Sequence, residues 1–310
     1  MSGLTRRGFL GAVGTVALLG VSGCGLRREA TPLAMASGEA GGTYLQFGAL
    51  LRDAAARAGV AELEVRATKG SFDNLEQLVS GRADLGIALA DSVASRDDDL
   101  VAIGRVYQNY LQCVVRHDSD IVALADLRGH RVGVGAPSSG AAYTARLILE
   151  VAGLREGDDA VDEVELGIQA ASDALVAGEI DALFWSSGIP APVISELTAS
   201  PGVRFVELTD ALPGLDGQHP GSYLATALPS GAYGSSAETP TVGTPNYLLA
   251  RPDLADEVAA GLVDVLIADA ERLVPAGSVG VQYLTSANLI DTAPVALHPA
   301  AAARYRHHYG

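Results

Sequence analysis

Leu75-Glu76-Gln77-Leu78-Val79-Ser80-Gly81-Arg82-Ala83-Asp84-Leu85-Gly86-Ile87 reads as the end of an amphipathic helix, a glycine, two residues, an aspartate and the start of a strand. The same arrangement returns about a hundred residues later in Ala174-Leu175-Val176-Ala177-Gly178-Glu179-Ile180-Asp181-Ala182-Leu183-Phe184. Gly81 and Gly178 suit the left-handed position that closes a helix, where a Cβ would be strained. One α/β module used twice predicts an α/β chain of two similar lobes.

Outward from these modules, short apolar runs alternate with amphipathic stretches, the pattern of an α/β protein. Strands are expected near residues 33–36, 63–67, 85–88, 131–134, 182–185 and 203–207. Helices are expected over 43–58, 72–80, 140–152, 170–177, 190–198 and 254–273; in the first, Tyr44, Phe47, Leu51, Ala54 and Ala58 keep close to a 3.6-residue period. The apolar stretch Val101–Val115 and the extended stretch Thr239–Leu249 are expected to carry the chain between lobes. One lobe then holds residues 33–115 and 241–310 and the other residues 116–240, with Arg304–Gly310 a frayed polar end.

The 310 residues, 48% hydrophobic, suffice for a large core in two units. A leader precedes them: Arg6-Arg7-Gly8-Phe9-Leu10, an apolar run to Val21, then Ser22-Gly23-Cys24. The run is too short to cross a bilayer as a helix and is charged only at its start, so residues 1–23 read as a signal peptide. Arg6 and Arg7 resemble a twin-arginine export signal, and Val21-Ser22-Gly23-Cys24 resembles the site at which a lipoprotein is cut and acylated on cysteine. The expectation is an extracytoplasmic protein anchored by lipidated Cys24 through a linker, residues 24–32.

Without that leader, 19 basic side chains face 37 acidic ones, a net charge of about −18. Nucleic acid is therefore excluded as a partner, and an anionic ligand must be captured by local geometry against the field of the whole chain. Cys113 is the one cysteine besides Cys24 and lies in an apolar run, so no disulfide framework is expected.

Four segments share one design, a strand followed by Gly, Ser or Thr and a helix start: Gly41-Gly42-Thr43-Tyr44, Lys69-Gly70-Ser71-Phe72-Asp73-Asn74, Ala136-Pro137-Ser138-Ser139-Gly140 and Ser186-Ser187-Gly188-Ile189-Pro190. Each offers backbone N–H groups and hydroxyls at a helix N-terminus, which favours a carboxylate or phosphate; taken singly, each also suits ordinary N-capping. Lys69, the sole lysine, is either a solvated side chain or a point charge at a cleft. Gly133-Val134-Gly135-Ala136-Pro137-Ser138 falls short of a dinucleotide fingerprint because serine takes the third glycine's place.

These segments, together with Gly81, Ala83-Asp84-Leu85-Gly86, Asp91, Val132–Pro137, Ala182, Phe184 and Gly188-Ile189-Pro190-Ala191-Pro192, resemble in order the TAXI family. Its members are extracytoplasmic solute receptors of tripartite ATP-independent periplasmic (TRAP) transporters. The resemblance runs from about residue 33 to about residue 285. It implies a two-lobed, type II periplasmic-binding-protein fold, a clamshell with two crossover strands, with no cofactor and fused small and large permease subunits as partners. It further implies a small anionic organic ligand, glutamate or a 2-oxoacid or dicarboxylate. By the same resemblance Tyr44, Ser71, Asn74 and Asp91 contact ligand from the first lobe, with Thr43 and Lys69 beside them, and Ser138, Ser139, Ser187, Gly188 and Pro190 from the second. Tyr233 resembles a further family tyrosine. Lys69 and Ser138 stand where the family more often has glycine.

An enzyme reading finds little support. No G-x-S-x-G or H-E-x-x-H is present and the six histidines are scattered, with His117 expected on the first crossover in solvent. Asp84 and Asp181 read as structural residues at strand starts. A receptor for an ATP-driven importer or a sensor kinase shares the fold and anchor, and sequence leaves it open.

Overall fold

A computed structural model describes residues 31–199 and 202–310; Arg6, Arg7 and Cys24 lie outside the described residues. The chain begins β1 (Thr31–Ala36), α1 (Thr43–Ala58), β2 (Ala61–Arg66), α2 (Ser71–Val79), β3 (Leu85–Leu89), α3 (Ala90–Ala94) and β4 (Val101–Arg116). It continues β5 (Arg131–Gly135), α4 (Gly140–Val151), β6 (Asp162–Glu165), α5 (Ile168–Ala177), β7 (Ala182–Ser187), α6 (Pro192–Ala199) and β8 (Val203–Val206). Then come α7 (Leu212–Gln218), β9 (Leu224–Leu228), β10 (Thr239–Ala250), α8 (Asp256–Ala268), α9 (Ser286–Leu289) and α10 (Pro299–Tyr309).

These strands form one mixed sheet in the order β2-β1-β3-β10-β4-β7-β5-β6, with β8 on β4 and β9 on β10. β10 pairs with β3 over Asn246–Ala250 and with β9 over Thr239–Gly243. β4 pairs with β10 from Val101 to Tyr110 and with β7 from Tyr110 to Val115. Two antiparallel strands thus run from one half of the sheet into the other, and two register shifts between them at Asn246/Tyr247 and Leu248/Leu249 twist the passage. The boundaries read at residues 115/116 and 240/241 fall inside β4 and β10, because each strand belongs to both halves.

Each half has helices on both faces. In the first, Phe47 and Leu51 of α1 pack with Leu262 and Leu266 of α8, while Leu75 and Leu78 of α2 fill the other face. In the second, Ile148 and Leu149 of α4 pack with Leu215 of α7, and Leu175 of α5 with Ile194 and Leu197 of α6. Each such side chain contributes about 1.5–3 kcal/mol on full burial. Cys113 lies in the second core as a free thiol, its pKa pushed up to about 12 by burial.

The expected fraying of Arg304–Gly310 is corrected: α10 continues to Tyr309. Tyr305 is buried with its hydroxyl donating to Ile103 O at 3.0 Å, and Arg304 and His308 both reach Asp264 of α8. A polar stretch is held by one aromatic anchor and a carboxylate shared from the neighbouring helix. Among the described residues no helix is long and apolar enough to cross a membrane.

Candidate functional site

Three helix starts and the end of strand β7 meet at one cavity of about 40 Å³ between the halves. From the first half come Gly42, Thr43 and Tyr44 at α1, Lys69, Gly70 and Ser71 at α2, and Gly38 and Glu39 of the loop before α1. From the second come Ser139, Gly140 and Ala141 at α4 and Trp185, Ser186 and Ser187 of β7. α1 and α2 have glycine N-caps, Gly42 and Gly70, with no side chain capping them, so the first N–H groups of α1 and those of Ser71 and Phe72 in α2 keep hydrogen-bonding capacity, while Asp73 N is taken by Ser138 O. α4 differs: Ser139 Oγ accepts from Ala142 N at 3.0 Å and caps its own helix.

The hydroxyls of the wall are oriented by bonds within the protein. Ser71 Oγ accepts the Leu89 N–H at 3.1 Å and lies 3.1 Å from the Tyr44 hydroxyl. Burial pushes the Tyr44 phenol well above its usual range, so it stays protonated. Ser187 Oγ receives Gln112 Nε2 at 3.1 Å and donates to Gly188 O at 2.8 Å; Asn109 Nδ2 donates to Ser186 Oγ at 3.2 Å. Two buried polar atoms of the wall, Glu39 Oε1 and Trp185 Nε1, have no partner. An unsatisfied buried group of this kind costs about 1–3 kcal/mol.

The halves touch directly around the cavity. Ile168 N at the start of α5 donates to Glu39 Oε2 at 3.1 Å, and Asp73 N donates to Ser138 O at 3.2 Å. The Phe72 and Tyr143 rings lie 5.2 Å apart, and Gly188 packs on Thr43, where a Cβ would stand 3.0 Å from Cγ2. Close approach is built in at Gly140: a Cβ there would fall 2.5 Å from Ser71 Oγ and 2.7 Å from Leu89 Cδ1.

Residues 35–308 match the NMT1-like family. The chain belongs to that family. A protein from Bordetella bronchiseptica RB50 superposes on this NMT1-like chain with a TM-score of 0.58 at 16% identity, covering 91% of this chain and 99% of the other. A Xanthomonas citri protein bound to chloride ion reaches 0.50 at 15% identity, over 89% and 95% of the two chains. The periplasmic aliphatic sulphonate binding protein SsuA from Escherichia coli gives 0.49 at 19% identity, over 90% and 79%. The Bordetella and chloride-bound Xanthomonas proteins share the mixed α/β fold of this chain.

Within the NMT1-like chain, Thr43, Tyr44, Lys69, Ser71, Ser139 and Ser187 line the cavity, and six other expected contacts do not. Asn74 is consumed by the fold: its amide donates to Ser37 O and to Ile87 O, and its oxygen accepts from Thr68. Asp91 is fully buried and accepts from Ser92 N, Thr144 Oγ1 at 2.5 Å and the Tyr223 hydroxyl at 3.0 Å; burial raises its pKa in spite of those bonds. Asp91 therefore ties α3 to the opposite half and offers no acceptor to the cavity.

Ser138 is exposed with φ 65°, and only its carbonyl is used, by Asp73. Gly188 supplies room for Thr43, Pro190 follows a cis peptide beyond the wall, and the Tyr233 hydroxyl accepts Ala191 N at 2.8 Å while its ring stacks on Phe205. Glu39, Asn109 and Trp185 were not anticipated. Glu39 stands alone in a glycine-rich loop and Trp185 in an apolar strand, so neither carries a local signal; for Trp185, a lone indole bounding a Ser-Ser-Gly segment was the available hint.

Proposed function

We propose that this chain is an extracytoplasmic solute receptor, which closes its two halves on a small carboxylate and delivers it to a membrane transporter. The observation that carries the reading is the convergence of three Gly/Ser/Thr helix starts, α1 and α2 from the first half and α4 from the second, with the serine-bearing end of β7 on one cavity. Uncapped N–H groups at α1 and α2 favour an anion locally although the chain as a whole repels one. The ordered motifs between residues 33 and 285 favour a TRAP transporter of the TAXI type, and glutamate ahead of a 2-oxoacid or dicarboxylate.

Binding without turnover fits the wall. Among the described residues, no hydrogen bond of Ser71, Ser139, Ser186 or Ser187 runs to a histidine or carboxylate that would activate a nucleophile. The cavity is far smaller than the roughly 300–1,000 Å³ of small-molecule sites, so solute enters by parting the halves about β4 and β10. Cys24 is proposed as the lipid anchor; Cys24→Ala should then leave the membrane fraction.

A thermal-shift screen of amino acids, 2-oxoacids, dicarboxylates and neutral sugars tests the assignment. A true solute at 100 times its dissociation constant adds about 2.7 kcal/mol to native stability. Stabilisation by a sugar and by none of the acids overturns the reading.

A further inference from the structure

Two unpartnered polar atoms belong to residues that line the cavity, one from each half. Glu39 Oε2 accepts the Ile168 N–H of the opposite half, while its Oε1, hidden from solvent, accepts nothing. Trp185 is 6% exposed and its Nε1–H donates to nothing. Both residues line the cavity. An ionised glutamate only accepts and an indole N–H only donates, so the pair calls for a solute that brings a donor and an acceptor together. A bare carboxylate or sulfonate answers the indole and is repelled by Glu39. Among the described residues no cation is paired with Glu39, so that role is left to the solute.

Gly167 makes the contact across the cleft possible. A Cβ there would lie 2.6 Å from Glu39 Oε2, and Gly167 is the N-cap of α5 with no side-chain cap of its own. The acid supplied from the first half takes that role.

We infer that Glu39 couples solute chemistry to closure: Oε2 latches the start of α5, and Oε1 receives an N–H of the solute while Trp185 Nε1–H donates to the solute's acid group. This rests on the cavity being the solute site. Glu39 then distinguishes an amine-bearing acid from its amine-free counterpart, a task that Asp91 cannot perform from its internal bonds.

The test uses Glu39→Gln, Glu39→Ala and Gly167→Ala in two measurements. In the first, amide hydrogen exchange without solute reads the latch at Ile168. Exchange should speed up at least tenfold in Glu39→Ala and Gly167→Ala, and stay near wild type in Glu39→Gln, whose carbonyl still accepts. An unchanged Ile168 rate in Glu39→Ala overturns the latch.

In the second, calorimetry compares L-glutamate with 2-oxoglutarate and L-alanine with pyruvate. Wild type should favour the amine-bearing member of a pair by about tenfold to a hundredfold, the range of one charge-assisted hydrogen bond. Glu39→Gln should bring that ratio to one or below. An unchanged ratio in Glu39→Gln, or a wild-type preference for the amine-free member, overturns the inference while the solute reading stands. Binding of none of the four overturns the small-acid reading and the solute arm with it, and the Ile168 rates still decide the latch.

Discussion

Asp84 and Asp181 hold the same position in the two halves: each carboxylate accepts the backbone N–H of the residue 50 positions before it, Ala34 at 2.8 Å and Arg131 at 2.9 Å. In return the N–H of each aspartate donates to that residue's carbonyl at 2.8 Å, so one aspartate clasps neighbouring chain in each module. The repeat is a shared hydrogen-bonding device as well as a shared pattern of letters. Removing Asp84 leaves the part-buried Ala34 N–H unpaired, whereas the Arg131 N–H is exposed and water replaces the acid. Asp84→Ala should cost about 1–3 kcal/mol in urea denaturation and Asp181→Ala less. Equal costs would contradict the difference in burial.

Closure depends on Gly140. Ser71 Oγ cannot retreat from a new Cβ, because it already holds the Leu89 N–H and the Tyr44 hydroxyl. Gly140→Ala should force the halves apart. Trp185 is the only tryptophan and lines the cavity, so its emission should shift to the red as water enters. Unaltered emission in Gly140→Ala would contradict the closed packing.

Much of the fold was legible because its signals are local. The period Tyr44, Phe47, Leu51, Ala54 and the glycine at 59 delimit α1, whose observed span is the expected one. Strands β6 and β9 were missed, since neither shows a clear apolar alternation. The site followed the same division. Hydroxyls at helix starts are visible in sequence, but the partners that withdraw Asp91 from the cavity lie 53 and 132 residues away. Nothing near Asp91 announces them.

Asp91 also gives a pH dependence. Its folded pKa is raised above the ordinary 3.8 by burial, so the folded state binds the proton more tightly than the unfolded chain. Stability from this group is therefore fully present below pH 3.8 and is lost as pH rises through the raised folded value. Thr144, Tyr223 and Ser92 donate to the carboxylate and limit the loss. In urea denaturation between about pH 4 and 8, wild type should lose stability relative to Asp91→Asn as pH rises. Parallel curves would contradict the raised pKa.

Ser71 and Ser139 separate binding from folding. Ser71→Ala strands the buried Leu89 N–H and should cost about 1–3 kcal/mol, while Ser139→Ala removes a helix cap worth about 1 kcal/mol. Both should weaken a solute found by screening by roughly tenfold to a hundredfold in calorimetry. Unchanged affinity in both would remove these hydroxyls from the site.

The most direct test of the account is a crystal structure with the most stabilising acid from the thermal screen. The solute should lie between Gly42 and Gly70 of one half and Ser139 and Ser187 of the other, with the halves closed upon it. Density for the acid in the groove between α8 and α10, beside Asp256, Arg304 and His307, with the interhalf cavity free of it, would contradict the account.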